Sequence, residues 1–191
     1  MDGHKTATPH YKYNDNGLIN MSKFLFPTEY YDSTYSIDFE HYYSLGYRAV
    51  LFDIDNTLVP HNAASDEKSI ALMKRLKEIG FKICLVSNNK EPRVASFNEF
   101  LQVEYIYKAG KPKARGYLAA MEKLGTNRGN TIFVGDQLYT DIWGANNAKI
   151  HSILVKPINK HEEIQIVLKR IIEKPFIWLW LMKHKMKTKT K

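Results

Sequence analysis

Two aspartates separated by a single residue give the clearest chemical signal in the chain. Asp53 and Asp55 stand in the segment Asp-Ile-Asp-Asn-Thr at 53–57, directly after the apolar run Ala-Val-Leu-Phe at 49–52. Such a run predicts a buried strand, so both carboxylates would lie at its C-terminal end, where open α/β sheets bind ligands. Neighbouring carboxylates beside a core are costly without a metal ion or a shared proton. The pair therefore predicts a metal or acid–base site, and a polar strand cap is the simpler alternative.

Other polar residues suited to phosphate chemistry stand at or near the ends of later predicted strands. They are Thr57, Ser87, Asn88, Lys111, Asp136 and Asp141. Singly, each has a simpler explanation: Ser87 could cap a turn, Lys111 could be a solvated charge, and Asp141 could be an acid in a first helical turn. Because the carboxyl ends of parallel strands meet at one edge of a sheet, their coincidence favours a single site.

An alternation of strands and helices must position these residues. Apolar runs predict strands at 49–52, 83–86, 103–107, 131–134 and 152–155, and helical spacing predicts helices at 65–79, 92–100, 114–124, 141–147 and 161–173. This order predicts an α/β fold: a three-layer, Rossmann-like, doubly wound parallel sheet. The aromatic-rich segment 24–46 shows no clear period, which predicts irregular wrapping packed on the domain.

Length and composition predict one globular domain with two appendages. The chain has 191 residues, 44% of them hydrophobic. We predict an N-terminal extension or artefact at 1–20, a domain at 21–173 and a basic aromatic tail at 174–191, with Met21 favoured as the natural start. The first 20 residues lack the apolar core of a signal peptide, and no apolar run approaches the ~20 residues that cross a bilayer. The single cysteine, Cys84, is expected in the core, which excludes an internal disulfide and fits a cytoplasmic protein.

The positive charge is concentrated at the C-terminal end. The chain has 28 basic and 20 acidic residues, and six of the lysines stand in 174–191, so 22 basic residues face 20 acidic ones elsewhere. Trp178 and Trp180 stand beside those lysines, a combination that suits the surface of an anionic membrane and predicts a peripheral contact at its inner face. The alternative is that the aromatic residues pack on the domain and the lysines form a solvated end.

Missing motifs disfavour three common kinds of site. The chain has no Gly-x-x-x-x-Gly-Lys-Ser/Thr loop for nucleoside triphosphates and no Gly-x-Gly-x-x-Gly after a strand for dinucleotides. The seven histidines show no zinc-binding spacing.

The order and composition of these motifs resemble the haloacid dehalogenase-like hydrolase superfamily. A closer resemblance is to its capless subfamily IIIA phosphatases of the bacterial YqeG type. It is carried by Phe-Asp-Ile-Asp-Asn-Thr-Leu-Val at 52–59, Val-Ser-Asn-Asn at 86–89, Gly-Asp-Gln-Leu-Tyr-Thr-Asp at 135–141, Ile-Leu-Val-Lys-Pro ending at Pro157, and the opening Lys-Phe-Leu-Phe-Pro at 23–27. The resemblance implies a haloacid dehalogenase-like fold without a cap domain and a Mg²⁺-dependent phosphatase.

The resemblance also implies a role for each motif residue. Asp53 would be the nucleophile that forms an aspartyl-phosphate, and Asp55 would protonate the leaving oxygen and then activate water. Lys111, rather than Lys113, would neutralise charge on the nucleophile and phosphate. The phosphoryl oxygens would accept hydrogen bonds from Thr57, Ser87 and Asn88. Mg²⁺ would be held by Asp53, Asp136 and the backbone carbonyl of Asp55, with Asp141 supporting the metal or its waters.

The spacing between motifs bears on the substrate. Only residues 58–80 separate Thr57 from the next predicted strand region, and only 88–110 separate Ser87 from Lys111, so neither gap holds a cap and the site should be open. Open sites suit a phosphate displayed on something large. The YqeG-type family is similar to phosphatases that act on phosphatidylglycerophosphate, which becomes the predicted substrate.

Two alternatives stay open. One is a phosphatase for soluble phosphomonoesters or phosphoproteins. The other is a nucleic-acid or ribosome-binding protein with a vestigial site, which the intact set of Asp53, Asp55, Lys111 and Asp136 disfavours. Because the tail is remote in sequence from every motif, deleting 175–191 is expected to spare hydrolysis of a small soluble ester.

Overall fold

A single parallel sheet forms the centre of the computed structural model, which describes residues 24–159 together with Ile177 and Met182. Six strands lie in the order β1-β6-β5-β2-β3-β4, and every neighbouring pair is parallel. They are β1 (Glu29–Tyr31), β2 (Ala49–Phe52), β3 (Lys82–Val86), β4 (Glu104–Ile106), β5 (Thr131–Gly135) and β6 (His151–Val155).

Short helices connect the strands. They are α1 (Phe39–Ser44), α2 (Glu67–Ile79), α3 (Glu91–Asn98), α4 (Arg115–Leu124) and α5 (Trp143–Ala148), with a 3-10 turn at Thr34–Ser36 and a π-helical turn at Leu138–Ile142. Within the described residues, no helix combines the length and apolar character needed to cross a membrane.

The sheet is covered on both faces, which confirms the predicted three-layer α/β fold. Alternate residues of β2 belong to two separate apolar clusters: Val50 and Phe52 to one, Ala49 and Leu51 to the other. The first cluster includes residues of α1, α2 and α3, and the second includes residues of α4 and α5. A strand buried on both faces needs apolar side chains at every position, which is why the central strands read as continuous apolar runs.

The centre of the sheet is a topological switch point. From β2 the chain proceeds through β3 to β4 on one side, and then crosses to β5 and β6 on the other. Phe52 is in register with Val134, and the Asp53 N–H donates to the Val134 carbonyl at 3.0 Å. The loops after β2 and β5 therefore leave the sheet side by side, where such sheets form a ligand-binding crevice.

Local signals in the sequence account for the main helices. Asp66 and Ser69 form a reciprocal capping box at the start of α2, and Gly80 ends the helix with a φ of 104° that favours glycine. Gly125 ends α4 in the same way. The helices and strands predicted between residues 49 and 155 are confirmed within a few residues of their bounds.

The segment 24–46 is more regular than predicted. It contributes the edge strand β1, which pairs with β6, and the helix α1, whose N-terminal His41 N–H donates to Asp38. The prediction of irregular structure was therefore wrong for β1 and α1. The prediction that this segment packs on the domain is confirmed, since Phe39 and Tyr42 are fully buried. Likewise, the helix predicted at 141–147 begins as a π-helical turn and becomes α-helical only at Trp143.

Ile177 shows where the C-terminal segment meets the domain. Its side chain packs against a small apolar cluster formed by Leu138, Ile142 and Leu154. Leu138 and Ile142 belong to the turn that carries Asp141, so Ile177 lies near this motif in space although it is remote from it in sequence. The predicted extension 1–20, the predicted helix 161–173, Trp178, Trp180 and the terminal lysines lie outside the described residues.

Candidate active site

A tight turn after β2 presents the two aspartates. The backbone N–H groups of Thr57 and Leu58 donate to the Ile54 carbonyl, and the fully buried Ile54 side chain anchors the turn in the core. Asn56 adopts a φ of 62°, a left-handed conformation that asparagine tolerates better than most residues. The turn places Asp53 and Asp55 at the carboxyl edge of the sheet.

Lys111 is the charged centre of the site. Its Nζ donates to Asp53 Oδ1 at 2.6 Å and to Asp141 Oδ1 at 2.7 Å, and its side chain is only 3% exposed. Asn88 fixes the backbone of Lys111 in return: Asn88 Oδ1 accepts the Lys111 N–H at 2.8 Å, and Asn88 Nδ2 donates to the Lys111 carbonyl at 3.1 Å. One lysine thus joins residues from two strand ends that are 88 positions apart in sequence, Asp53 and Asp141.

The loop after β5 is folded around Asp141. Asp141 Oδ2 accepts the backbone N–H groups of Asp136 and Gln137 at 3.2 and 3.0 Å. A Cβ on Gly135 would lie 2.6 Å from the Asp141 Cβ, so only glycine admits this close packing. Both oxygens of Asp141 therefore accept hydrogen bonds, and its carboxylate holds Lys111 and the 135–137 backbone together.

Three buried carboxylates form a group suited to a hard cation. Oxygens of Asp53, Asp136 and Asp141 lie within 4.8 Å of one another, and Thr57 Oγ1 donates to Asp136 Oδ1 at 3.2 Å. Three carboxylates against the one ammonium of Lys111 leave two negative charges on these four side chains, which matches a divalent cation. Carboxylate oxygens are the donors that Mg²⁺ prefers. The residues present are therefore compatible with Mg²⁺.

Burial and neighbouring charges shift the ionisation of this group. Burial raises the pKa of Asp53 to about 7; the Lys111 ammonium opposes this shift and the Asp141 carboxylate adds to it. Burial alone would lower the pKa of Lys111, but Asp141 and Asp53 outweigh it and hold that pKa above its usual range. These shifts favour the charged form of Lys111, and they favour the protonated form of Asp53 to a higher pH than in an exposed aspartate.

Asp55 lies apart from the three clustered carboxylates. Asp55 Oδ1 accepts the Asn62 N–H at 2.8 Å and Arg93 Nη2 at 2.9 Å, and Oδ2 accepts Asn89 Nδ2 at 2.5 Å. Its side chain is thus turned towards α3 and the 58–66 loop. This arrangement separates its carboxylate from the metal-compatible group, as its expected role in proton transfer requires.

The remaining motif residues, Ser87 and Asn88, are in different surroundings. Ser87 is buried, and its Oγ accepts the Asn89 N–H at 3.1 Å; no hydrogen bond joins its hydroxyl to the aspartates in the part of the chain that the structure describes. Asn88 is exposed but its side-chain amide is occupied by the Lys111 backbone. In this geometry the Asn88 side chain holds the Lys111 backbone in place, and its contact with a phosphoryl oxygen stays a prediction.

Four residues that hold the site were not identified from the sequence. Asn89 and Arg93 bind Asp55, while Thr34 Oγ1 and Tyr35 OH donate to the carbonyls of Thr57 and Leu58 at 2.7 and 2.6 Å. Arg93 carried a usable signal, because a cation in the first turn of a helix is opposed by the helix dipole. Asn89 stands in the motif Val-Ser-Asn-Asn at 86–89 but was given no role there. Thr34 and Tyr35 reach the site through contacts that no local pattern marks.

Known proteins are similar to this chain in sequence and in fold. A family model described as haloacid dehalogenase-like hydrolase matches residues 61–149. Probable phosphatase YqeG of Bacillus subtilis (strain 168) is 34% identical over 139 residues, which cover 72% of this chain and 81% of that protein. The chain belongs to the haloacid dehalogenase-like hydrolases.

Within these hydrolases the chain is a YqeG-type phosphatase. A crystal structure of a haloacid dehalogenase phosphatase from Thermococcus onnurineus superimposes with a TM-score of 0.51 at 15% identity, covering 65% of this chain and 97% of that one. That likeness supports the fold. No cap domain interrupts the described residues between the motifs. The connection from β2 to β3 contains only the helix α2, and the segment from β3 to Lys111 contains only α3 and β4.

Proposed function

We propose that the phosphatase hydrolyses phosphomonoesters through an aspartyl-phosphate on Asp53, with Mg²⁺ as its cofactor. The Lys111 ammonium, 2.6 Å from Asp53, would neutralise charge on the nucleophile and on the phosphoryl group. When bound by Asp53, Asp136 and the Asp55 carbonyl, Mg²⁺ would offset negative charge on the phosphoryl oxygens. Asp141 supports this arrangement by holding Lys111 and the 135–137 backbone.

The reaction divides into two displacements. In the first, an Asp53 oxygen bonds to phosphorus, the ester P–O bond breaks, and Asp55 gives a proton to the leaving oxygen. In the second, water attacks phosphorus and gives a proton to Asp55, and the bond from phosphorus to Asp53 breaks to release phosphate. Thr57 and Ser87 are proposed donors to the phosphoryl oxygens.

We infer that the physiological substrate is phosphatidylglycerophosphate at the inner face of the membrane. The observation that carries this proposal is the uncapped carboxyl edge, which leaves room for a phosphate displayed on a lipid surface. The contact of Ile177 with Leu138 adds support, because it brings the start of the basic aromatic tail next to the loop of Asp136 and Asp141. Tryptophan and lysine together favour an anionic interface.

Phosphate release from anionic vesicles containing phosphatidylglycerophosphate tests the proposal. We expect Mg²⁺-dependent release, stopped by chelation, and a loss of at least 10³-fold in kcat for Asp53→Asn, because an amide cannot form the phosphoenzyme. Asp32→Asn is the matched control, since Asp32 is an exposed acid paired with Lys156. Full activity of Asp53→Asn would overturn the nucleophile assignment. Hydrolysis of glycerol phosphate but not of the lipid would overturn the proposed lipid substrate and leave the proposed reaction unchanged.

A further inference from the structure

Arg93 reaches the proposed acid–base residue from the first turn of α3. Its Nη2 donates to Asp55 Oδ1 at 2.9 Å and to the Ala63 carbonyl at 2.8 Å. The pair is largely shielded from water, with side chains 19% and 12% exposed for Arg93 and Asp55. Arg93 thus ties Asp55, α3 and the 58–66 loop together.

Helix stability does not account for an arginine at this position. The first turn of a helix favours acidic side chains, because the helix dipole places partial positive charge there. Lys90, at the N-cap, makes no side-chain cap to relieve the exposed N–H groups. A cation in this turn is unfavourable for α3 itself, and its contribution lies in the site that it faces.

Positioning of Asp55 does not account for Arg93 either. Without Arg93, the Asp55 carboxylate still accepts the Asn62 N–H at one oxygen and the Asn89 amide at the other. Two bonds to different oxygens fix the plane of a carboxylate. The guanidinium is therefore additional to what the orientation of Asp55 requires.

Arg93 also retains unused donors. Both of its hydrogen bonds involve Nη2, while its Nε is buried and has no hydrogen-bond partner among residues 24–159, Ile177 and Met182. A buried N–H without a partner is costly, and a guanidinium carries five donors in a fork that matches phosphate and carboxylate. Nη1 makes no hydrogen bond to the described residues and is not among their buried unpaired atoms, so its two N–H groups are the donors that remain for an incoming anion.

We infer that Arg93 determines specificity by binding a second negative group on the alcohol portion of the substrate. Asp55 must come within about 3 Å of the leaving oxygen to transfer a proton, which places the guanidinium within about 6 Å of that oxygen. A phosphate or carboxylate a few bonds from the ester oxygen fits this separation. The inference rests on the proposed function and narrows its substrates to phosphomonoesters of anionic alcohols.

Two soluble esters isolate this contact from membrane binding. One is glycerol phosphate, and the other is glycerophosphoglycerol phosphate, which has the same reacting monoester and adds a phosphodiester on the glycerol. We expect wild-type kcat/KM to favour the diester-bearing substrate at least tenfold. In Arg93→Gln this preference should fall to within threefold of unity, chiefly through KM for the diester-bearing ester. Arg93→Lys should restore part of it.

Arg75→Gln is the matched control, since Arg75 makes an exposed pair with Glu40 and should leave the preference unchanged. Equal losses on both esters in Arg93→Gln would show that Arg93 only positions Asp55, and would overturn the inference. So would a wild-type enzyme without preference. If Arg93→Gln does not fold, Arg93→Lys must still lower the preference at least threefold. Failure of the lipid proposal would give a different result. The enzyme would not hydrolyse the lipid in vesicles, but its Arg93-dependent preference for the diester-bearing soluble ester would persist.

Discussion

Lys111 sets the electrostatic balance of the site at the scale of single residues. It contacts Asp53, the proposed nucleophile, and Asp141 at once, so its charge is shared between the proposed chemistry and the loop after β5. A buried lysine without these partners would be strongly destabilising, and the partners without the lysine would repel one another. The acidic group and the lysine are therefore stable only together.

Magnesium affinity should depend on pH through Asp53. Burial raises the pKa of Asp53 to about 7, so below that pH the carboxyl must release a proton before it can ligate a cation. We expect the Mg²⁺ dissociation constant to fall about tenfold per pH unit up to pH ~7 and to level off above it. Calorimetry in buffers of different ionisation enthalpy should detect one proton released at pH 6 and none at pH 8.5. A dissociation constant independent of pH would contradict this coupling.

The residues with charge or nucleophilic character were predictable, and those that hold them were mostly not. Asp53, Asp55, Lys111 and Asp136 stand in short motifs beside recognisable strands. Asn89 and Arg93, in contrast, meet Asp55 only because β3 lies next to β2 in the sheet. Such contacts depend on strand order, which local sequence patterns do not contain.

The N-terminal segment acts on the site at the scale of whole elements. The 3-10 turn at Thr34–Ser36 supplies the Thr34 and Tyr35 hydroxyls to the carbonyls of Thr57 and Leu58. Both carbonyls belong to the turn after β2, called here the nucleophile turn because it carries Asp53, the proposed nucleophile. This turn and β1 stand before the first motif in the chain. The two hydroxyls of the 3-10 turn therefore hold the turn after β2 through contacts that are distant in sequence.

Removing these hydroxyls should loosen the nucleophile turn. Tyr35→Phe and Thr34→Val each leave a carbonyl without its donor, which should lower the free energy of unfolding by about 1–2 kcal/mol. We also expect kcat to fall several-fold with little change in KM, since the turn orients Asp53 rather than binding the alcohol. Urea unfolding and steady-state kinetics measure both effects. The exposed Tyr107 gives the control Tyr107→Phe, and equal behaviour of Tyr35→Phe and this control would refute the link.

Elements were predictable where local signals agreed and were missed where they were weak. The central strands are continuous apolar runs, and α2 has both a capping box and a terminal glycine. β1 has only three residues and only partial burial, so no alternation could identify it. In α1, histidine and tyrosines are weak helix formers, and the cap by Asp38 is its one clear local signal.

At the scale of the whole molecule, Ile177 links the C-terminal segment to the metal-compatible loop. It packs against the cluster of Leu138, Ile142 and Leu154, and the first two of these belong to the turn that carries Asp141. The tail is therefore expected to influence the chemistry as well as any membrane contact. This revises the expectation that its deletion would spare the hydrolysis of small soluble esters.

The substitution Ile177→Asp should separate an effect of the tail on catalysis from an effect on membrane contact. A carboxylate against this apolar cluster should lower the melting temperature and raise the Mg²⁺ concentration needed for half-maximal hydrolysis of glycerol phosphate. Met182→Asp is the control, because Met182 is 60% exposed and should change neither quantity. Replacing the terminal lysines by glutamine should affect only the reaction on anionic vesicles. Unchanged behaviour of Ile177→Asp with the soluble ester would mean that the tail has no part in shaping the loop.

The pairing of β1 with β6 has a consequence for the chain as it is being made. Thr28 bonds to Ser152, 124 residues later, so β1 emerges from the ribosome long before its partner exists. At roughly 5–20 residues per second, the wait is on the order of 6–25 s. An unpaired strand invites pairing with other chains, but three residues that include the carboxylate of Glu29 make a poor template. The shortness that hid β1 from sequence analysis therefore protects the nascent protein until synthesis reaches β6.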